Sequence, residues 1–342
     1  MSILPLKYAL AAAIVISLLN SCTGGSSTPS TTAASQPNQS RTFKHQTSSC
    51  PCLYVADMGN SSVTVYAEGA TGNATPIQTI RGSHTGLSGP IDVAVDASRD
   101  IYVANLHNTS VTVYSAGATG NVAPIQTIAG SMTGLEPWGI ALNPLNGNIY
   151  VANSAFRGRD STLTIYPPGW SGNVPPIGII KGKRTGLDRP VGLFLGGSGK
   201  IYVPNAYGDS VTVYRAGATR RVPPIQTISG SYTGLDAPVQ VALDSTAKIY
   251  VVNSSDSVNV YAPRANGNVA PIRTIEGHKT QLHYPQGIAL DASGNIYVSN
   301  AYRGKRGTIT IYAADARGHA APINVISGPN TGLSDPREIA IR

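Results

Sequence analysis

The sequence predicts an all-β protein assembled from six copies of one four-stranded unit, and three observations carry that expectation. One pattern recurs from about Cys50 to the last residue and is clearest between Pro90 and Gly130. It reads P-x-x-(V/I)-A-(V/L)-D, then I-Y-V-A-N, then V-T-V-Y, then G-N-x-x-P-I-x-T-I-x-G, and closes with T-G-L before the next Pro. Its register is marked by Tyr54, Tyr102, Tyr150, Tyr202, Tyr250 and Tyr297, spaced 48, 48, 52, 48 and 47 residues apart. A period near fifty belongs to solenoids and propellers. The second observation is that each period holds four short β-branched or aromatic runs bounded by Gly, Asn, Asp and Pro, with no apolar residues at helical spacing. Four strands per repeat make one propeller blade. The third is that the array is cut out of phase. It starts with a second strand, Leu53 to Asp57, and ends with a lone first strand, Glu338 to Arg342. The C-terminal strand is therefore expected to complete the N-terminal blade, Arg337 to Arg342 joining the three strands between Leu53 and Ile80. The result is a six-bladed β-propeller of four-stranded blades, latched so that no long strand edge stays unpaired.

Residues 1–21 read as a signal peptide of lipoprotein type. Lys7 precedes an apolar run from Tyr8 to Leu19, about twelve residues, too short to cross roughly 30 Å of hydrocarbon as a helix. Leu19-Asn20-Ser21-Cys22 resembles a bacterial lipobox, in which Cys22 is the lipidation site and the mature N-terminus, although Asn20 is a less usual occupant. An ordinary secretory cleavage with an incidental Cys22 is the alternative. Residues 22–49, rich in Ser, Thr, Gln and Pro, read as a flexible tether, and residues 50–342 as the propeller. The expected location is the bacterial cell envelope, lipid-anchored on the extracytoplasmic side, with the outer membrane as the expected membrane.

The strings GIALDASGNIYVSN (Gly287 to Asn300) and GIALNPLNGNIYVAN (Gly139 to Asn153) resemble NHL-type repeats, and Y-V-A-N followed by V-T-V-Y is similar to YVTN-type surface repeats. The resemblance covers nearly all of the chain after the tether and implies a propeller of bacterial envelope type. These repeats host unrelated activities, so no function follows from them and no catalytic motif transfers residue by residue.

Composition narrows the partners. Lys and Arg total 25 against 17 Asp and Glu, a formal charge of +8, and only Lys7 is lost with the signal peptide. For an exported protein this basic balance points to anionic lipid, polysaccharide or an acidic protein face rather than nucleic acid. Cys50 and Cys52, separated by Pro51, are too close for an unstrained bridge and lack the Cys-x-x-Cys spacing of redox sites. They read as a local bridge or unpaired thiols pinning the start of the first blade. His84, His107, His278 and His283 are scattered over several blades without a ligand spacing, so no metal site is expected from them.

Residues present in every repeat serve the blade. The ring Asp57, Asn105, Asn153, Asn205, Asn253 and Asn300 is expected to bond loop backbone rather than a ligand. Tyr66, Tyr114, Tyr166, Tyr214, Tyr261 and Tyr312, which end each third strand, are assigned the same structural role. Function is expected where the repeat varies, at the two positions after each blade-starting Pro: Ile91-Asp92, Trp138-Gly139, Val191-Gly192, Val239-Gln240, Gln286-Gly287 and Arg337-Glu338. Trp138, Arg337, Gln286 and Gln240 are the candidate binding residues there. Two long loops add Phe156, Arg157, Tyr302 and Arg303, with Tyr207 between them in sequence; aromatic and Arg residues side by side suit a binding surface. Asp92 and Glu338 fall in neighbouring blades and could bind a cation such as calcium or act in acid–base chemistry, as in lactonase-type propellers, or Arg337 could neutralise one of them. The sequence thus favours a binding or scaffolding module without a cofactor, the alternative being a metal-assisted hydrolase or lactonase using Asp92 and Glu338.

Overall fold

A computed structural model describes residues 51–154, 161–301 and 306–342. Six four-stranded antiparallel sheets stand in a ring. Blade 1 takes β1 (Cys52–Asp57), β2 (Ser62–Ala67) and β3 (Gln78–Ile80) from the start of the array, and its innermost strand, β24 (Pro336–Ile341), from the end. Blade 2 is continuous, β4 (Pro90–Val95), β5 (Ile101–Asn105), β6 (Ser110–Tyr114) and β7 (Gln126–Ile128). The innermost strands of blades 3 to 6 are β8 (Pro137–Leu142), β12 (Phe194–Leu195), β16 (Pro238–Leu243) and β20 (Pro285–Leu290). The latch expected from the sequence is present: Leu53, Tyr54 and Val55 pair with Ile341, Ala340 and Ile339. Cys52 is buried beside the last residue, its N–H donating to the Arg342 carbonyl at 2.7 Å and its carbonyl accepting from Arg342 at 3.0 Å. Cys50 lies outside the described residues.

The core is distributed between blades rather than gathered at a centre. Tyr102, Val111, Val113 and Ile128 of blade 2 pack against Ile140, Ile149, Val151 and Tyr166 of blade 3. The junction between the chain's two ends is made the same way, with Leu53, Val55 and Tyr66 against Ile309, Ile311 and Ile326. Closure therefore buries apolar area like that of every other junction.

The repeated polar residues knit each blade to the loop that enters it. Asn105 is fully buried; its Oδ1 accepts the Ser88 N–H at 3.1 Å, and its Nδ2 donates to the Val103 carbonyl at 3.3 Å and to Thr112 Oγ1 at 3.0 Å. Tyr114 donates its hydroxyl to the Thr85 carbonyl at 2.6 Å. Tyr66 makes the same bond to Thr331 at 2.5 Å, across the point where the ring closes. Buried polar groups demand such partners, which is why Tyr recurs in every blade and Asn, or Asp57 in blade 1, does too.

The G-N motif has a role that the sequence did not suggest. Gly120 takes φ 77°, a left-handed conformation, and pairs in parallel with the outer strand of the preceding blade. Its N–H donates to the Thr79 carbonyl at 2.6 Å, and its own carbonyl accepts from Arg81 at 3.1 Å. Each blade's outermost strand is covered in this way by its neighbour's loop, which blunts edges otherwise open to aggregation.

Candidate functional site

The inner strands do not run straight into the channel. In blades 1, 2, 3, 5 and 6 the register shifts just after the opening Pro, so that Pro90 faces Asn105 while Asp92 already faces Ala104. Such a bulge places an extra residue on one strand and re-aims its side chain. Blade 4 reaches a similar end differently: its inner strand is reduced to Phe194 and Leu195, between Gly192 and the Gly196-Gly197 pair, with Pro190 making a single bridge to Asn205.

Because of the bulge, the two positions after each Pro part company. The first position of every blade, Ile91, Trp138, Val191, Val239, Gln286 and Arg337, lines one funnel of about 330 Å³ at the mouth of the channel. Tyr207, 69% exposed, stands on its rim. Trp138, Arg337, Gln286 and Tyr207 are thus brought together as the sequence suggested. Phe156, Arg157, Tyr302 and Arg303 lie outside the described residues.

The funnel also contains residues that sequence reasoning passed over. Arg189, Ala237 and Tyr284 precede the blade-starting Pro and take φ 53°, 46° and 50°, where blade 2 uses Gly89 at φ 59°. Non-glycine residues pay strain of about 1–3 kcal/mol for this conformation, and such strain concentrates at functional sites. The guanidinium of Arg189 lies 4.4 Å from the Tyr207 ring centroid and 5.8 Å from that of Trp138, within cation–π range of both. The available signal was variation at the pre-Pro position: Gly89, Glu136, Arg189, Ala237, Tyr284 and Asp335.

Arg337 gives its hydrogen bonds to the funnel wall, while its charge still favours the Glu338 anion, the neutralising influence the sequence had suggested. Its Nη2 donates to Asp335 Oδ2 at 2.7 Å and its Nη1 to Gln286 Oε1 at 2.9 Å, because the bulge directs it upward while Glu338 turns inward. The arginine is held rigid at the funnel wall, with its buried Nε lacking a protein partner.

The second positions close the channel beneath the funnel. Asp92, Gln240 and Glu338 fill a constriction whose remaining three blades contribute glycine. A Cβ on Gly192 would come within 2.7 Å of Gln240 Oε1, and one on Gly287 within 2.7 Å of Glu338 Oε2. Glycine in one blade makes room for the long side chain of the next. Gln240 therefore belongs to the constriction and not to the funnel wall, and below it lies a second cavity of about 310 Å³ lined mainly by apolar residues, among them Ala94, Leu142, Phe194 and Leu290, with Asp92 and Gln240 also in its wall.

Asp92 and Glu338 do meet there. Desolvation by burial raises both carboxyls well above the ordinary range, and Glu338 is raised further by the Asp92 charge. Asp92 Oδ1 accepts the Val93 N–H at 2.6 Å and Oδ2 the Ile140 N–H at 2.7 Å, bonds that favour its anion. Glu338 accepts from Gln240 and from the Ile339 N–H, but its Oε2 has no partner. Burial and proximity therefore disfavour two charges on the pair, and the pair titrates as a unit above the ordinary carboxylate range.

Among solved structures, the chain is similar to a protein of unknown function from Bacteroides caccae, with 13% identity and a TM-score of 0.62 over 86% of this chain and 99% of that one. It is also similar to a functionally unknown protein from Desulfotomaculum acetoxidans, with 11% identity and a TM-score of 0.57 over 85% and 98% of the two chains. The WD40 β-propeller domain of Doa1 aligns at 13% identity with a TM-score of 0.50, over 80% of this chain and 79% of that one. These similarities concern the propeller fold. No protein-family model and no curated protein matches the sequence.

Proposed function

We propose that the chain is an extracytoplasmic, lipid-anchored binding or scaffolding propeller of NHL/YVTN type, whose ligand or protein partner docks at the channel mouth. The observation that carries this reading is the funnel, where the residues that depart from the repeat converge and three of them, Arg189, Ala237 and Tyr284, hold a backbone conformation that glycine would adopt more easily. Trp, Tyr and Arg are the residue types that most often dominate binding energy. The basic balance of the chain and the arginines at the mouth favour an acidic protein or polysaccharide.

The test is affinity capture from bacterial envelope extract, followed by titration of the captured partner with variants. Trp138→Ala and Arg337→Ala should each weaken binding at least about tenfold, equivalent to ~1.4 kcal/mol. Their melting temperatures should stay near that of the parent, since other blades carry Ile or Val at these positions. Normal binding by both variants would remove the mouth from consideration. Anchoring rests on the Leu19 to Cys22 motif; Cys22→Ala should abolish lipid labelling and membrane retention while the ring still folds, and unchanged fractionation would refute the anchor.

The hydrolase alternative draws on the meeting of Asp92 and Glu338, but their surroundings suit a proton better than calcium. Backbone N–H groups already occupy both Asp92 oxygens, and two carboxylates supply at most four of the six to eight oxygens that calcium takes. Among the described residues no group of three or more His, Cys, Asp or Glu side chains could hold a metal ion.

A further inference from the structure

The six blade junctions share one polar device, and one junction departs from it in a chemically specific way. At four junctions the residue after the left-handed glycine or its neighbour's equivalent is Asn, namely Asn73, Asn121, Asn173 and Asn268. Its Oδ1 accepts an N–H from the turn of the preceding blade: His84, Met132 and Tyr232 at 2.7 Å, and Asn330 at 2.8 Å. Between blades 5 and 6 this residue is His319, and the residue facing it, a serine at three other junctions (Ser83, Ser131, Ser231), is His278. Both changes fall at the same junction. The other departures are Pro329 at the closing junction and the Lys183 and Arg221 pair between blades 3 and 4; proline has no ligating side-chain atom, and lysine and arginine cannot ligate a metal in their charged forms.

The two imidazoles are exposed on the outer rim, their ring centroids 5.0 Å apart and inclined at 60°, with Nδ1 facing Nδ1 at 3.2 Å. Two nitrogens bound to one tetrahedral zinc ion at about 2.0–2.1 Å stand about 3.3 Å apart. The pair is therefore spaced almost as two corners of such a site before any ion arrives. A hydrogen bond between the rings, in which one Nδ1 donates to the other, produces the same approach and is the competing account. We propose that His278 and His319 form a two-histidine site for a divalent transition-metal ion, zinc by preference of geometry, with solvent completing the coordination, and that the ion staples blade 5 to blade 6. Imidazole suits zinc, copper and nickel and not calcium or magnesium. The inference is independent of the channel mouth, which lies on another part of the ring.

The repeat itself supplies substitutions that should not disturb folding: His319→Asn and His278→Ser install residues that other junctions already carry. The experiment is calorimetric titration of the full chain with zinc chloride, with thermal melts run alongside, comparing the parent, both variants and His84→Ala. The parent and His84→Ala should bind an ion and melt higher in its presence. Each junction variant should bind it at least roughly tenfold more weakly and lose the zinc-dependent rise in melting temperature. If both junction variants keep the parental affinity, any zinc bound is held elsewhere and the pair is a hydrogen bond. Loss on one substitution but not the other would equally overturn a shared site.

Discussion

Glu338 shows how one residue can be read from its neighbours. Its carboxyl is buried against Asp92, ionises less readily than a solvated glutamate, and leaves Oε2 without a partner. The folded state therefore binds more protons than the unfolded chain, whose carboxyls titrate near about 4. Stability contributed by this pair is complete below that range and declines as pH rises toward the raised folded values. Glu338→Gln keeps the shape and removes this titration. The variant should melt close to the parent near pH 4 and increasingly above it toward pH 8; parallel melting curves across that range would show that folding does not raise this carboxyl. The candidate residues of the mouth were legible at this scale because a repeat makes departures visible. Arg189 and Tyr284 were not, because the varied residue types before the blade-starting proline do not disclose that four of the six blades are left-handed there. The His278–His319 contact was missed for a related reason, since the two residues lie in different blades and only the ring brings them together.

At the scale of the strand and its entering loop, the third-strand tyrosines carry the argument. Tyr66, Tyr114, Tyr166 and Tyr214 are buried, and desolvation pushes each hydroxyl up to about 12 from an ordinary value of 10.0. The native state holds these protons after the unfolded chain has released its own, so stability is full below pH 10 and falls between pH 10 and about 12. Alkaline unfolding monitored by circular dichroism should be steep and cooperative within that window. Tyr114→Phe should make it shallower while lowering stability at neutral pH by about 1–3 kcal/mol, the cost of leaving the Thr85 carbonyl unpaired. Neutral-pH stability equal to the parent would contradict the role assigned to the bond. The tyrosines and asparagines were legible as structural from recurrence alone. Coverage of each outer strand by the neighbouring G-N loop was not, because a parallel pair of two hydrogen bonds leaves too short a trace in the alternation of apolar residues.

For the whole molecule, the out-of-phase ends of the repeat were enough to give the ring and its latch, since a first strand without a blade and a blade without a first strand have one economical solution. The blade number followed from the period. What recurrence could not supply was the division of labour along the channel axis: a funnel above, a constriction of Asp92, Gln240 and Glu338, and a lower cavity lined mainly by apolar residues. That division depends on the bulge after each Pro, which sends adjacent residues to different places. The central claim is that recognition belongs to the upper mouth, where the blades differ, while the repeated residues maintain the ring. Hydrogen–deuterium exchange of the propeller with and without captured envelope partner tests it most directly. The account predicts slowed exchange at Leu135 to Ile140, Asp188 to Gly192, Ala206 to Asp209 and Leu282 to Gly287, with no change at the lower turns Asp96 to Asp100 and Asp244 to Lys248. Protection confined to those lower turns or to the outer strands, with the mouth exchanging as freely as before, would contradict it.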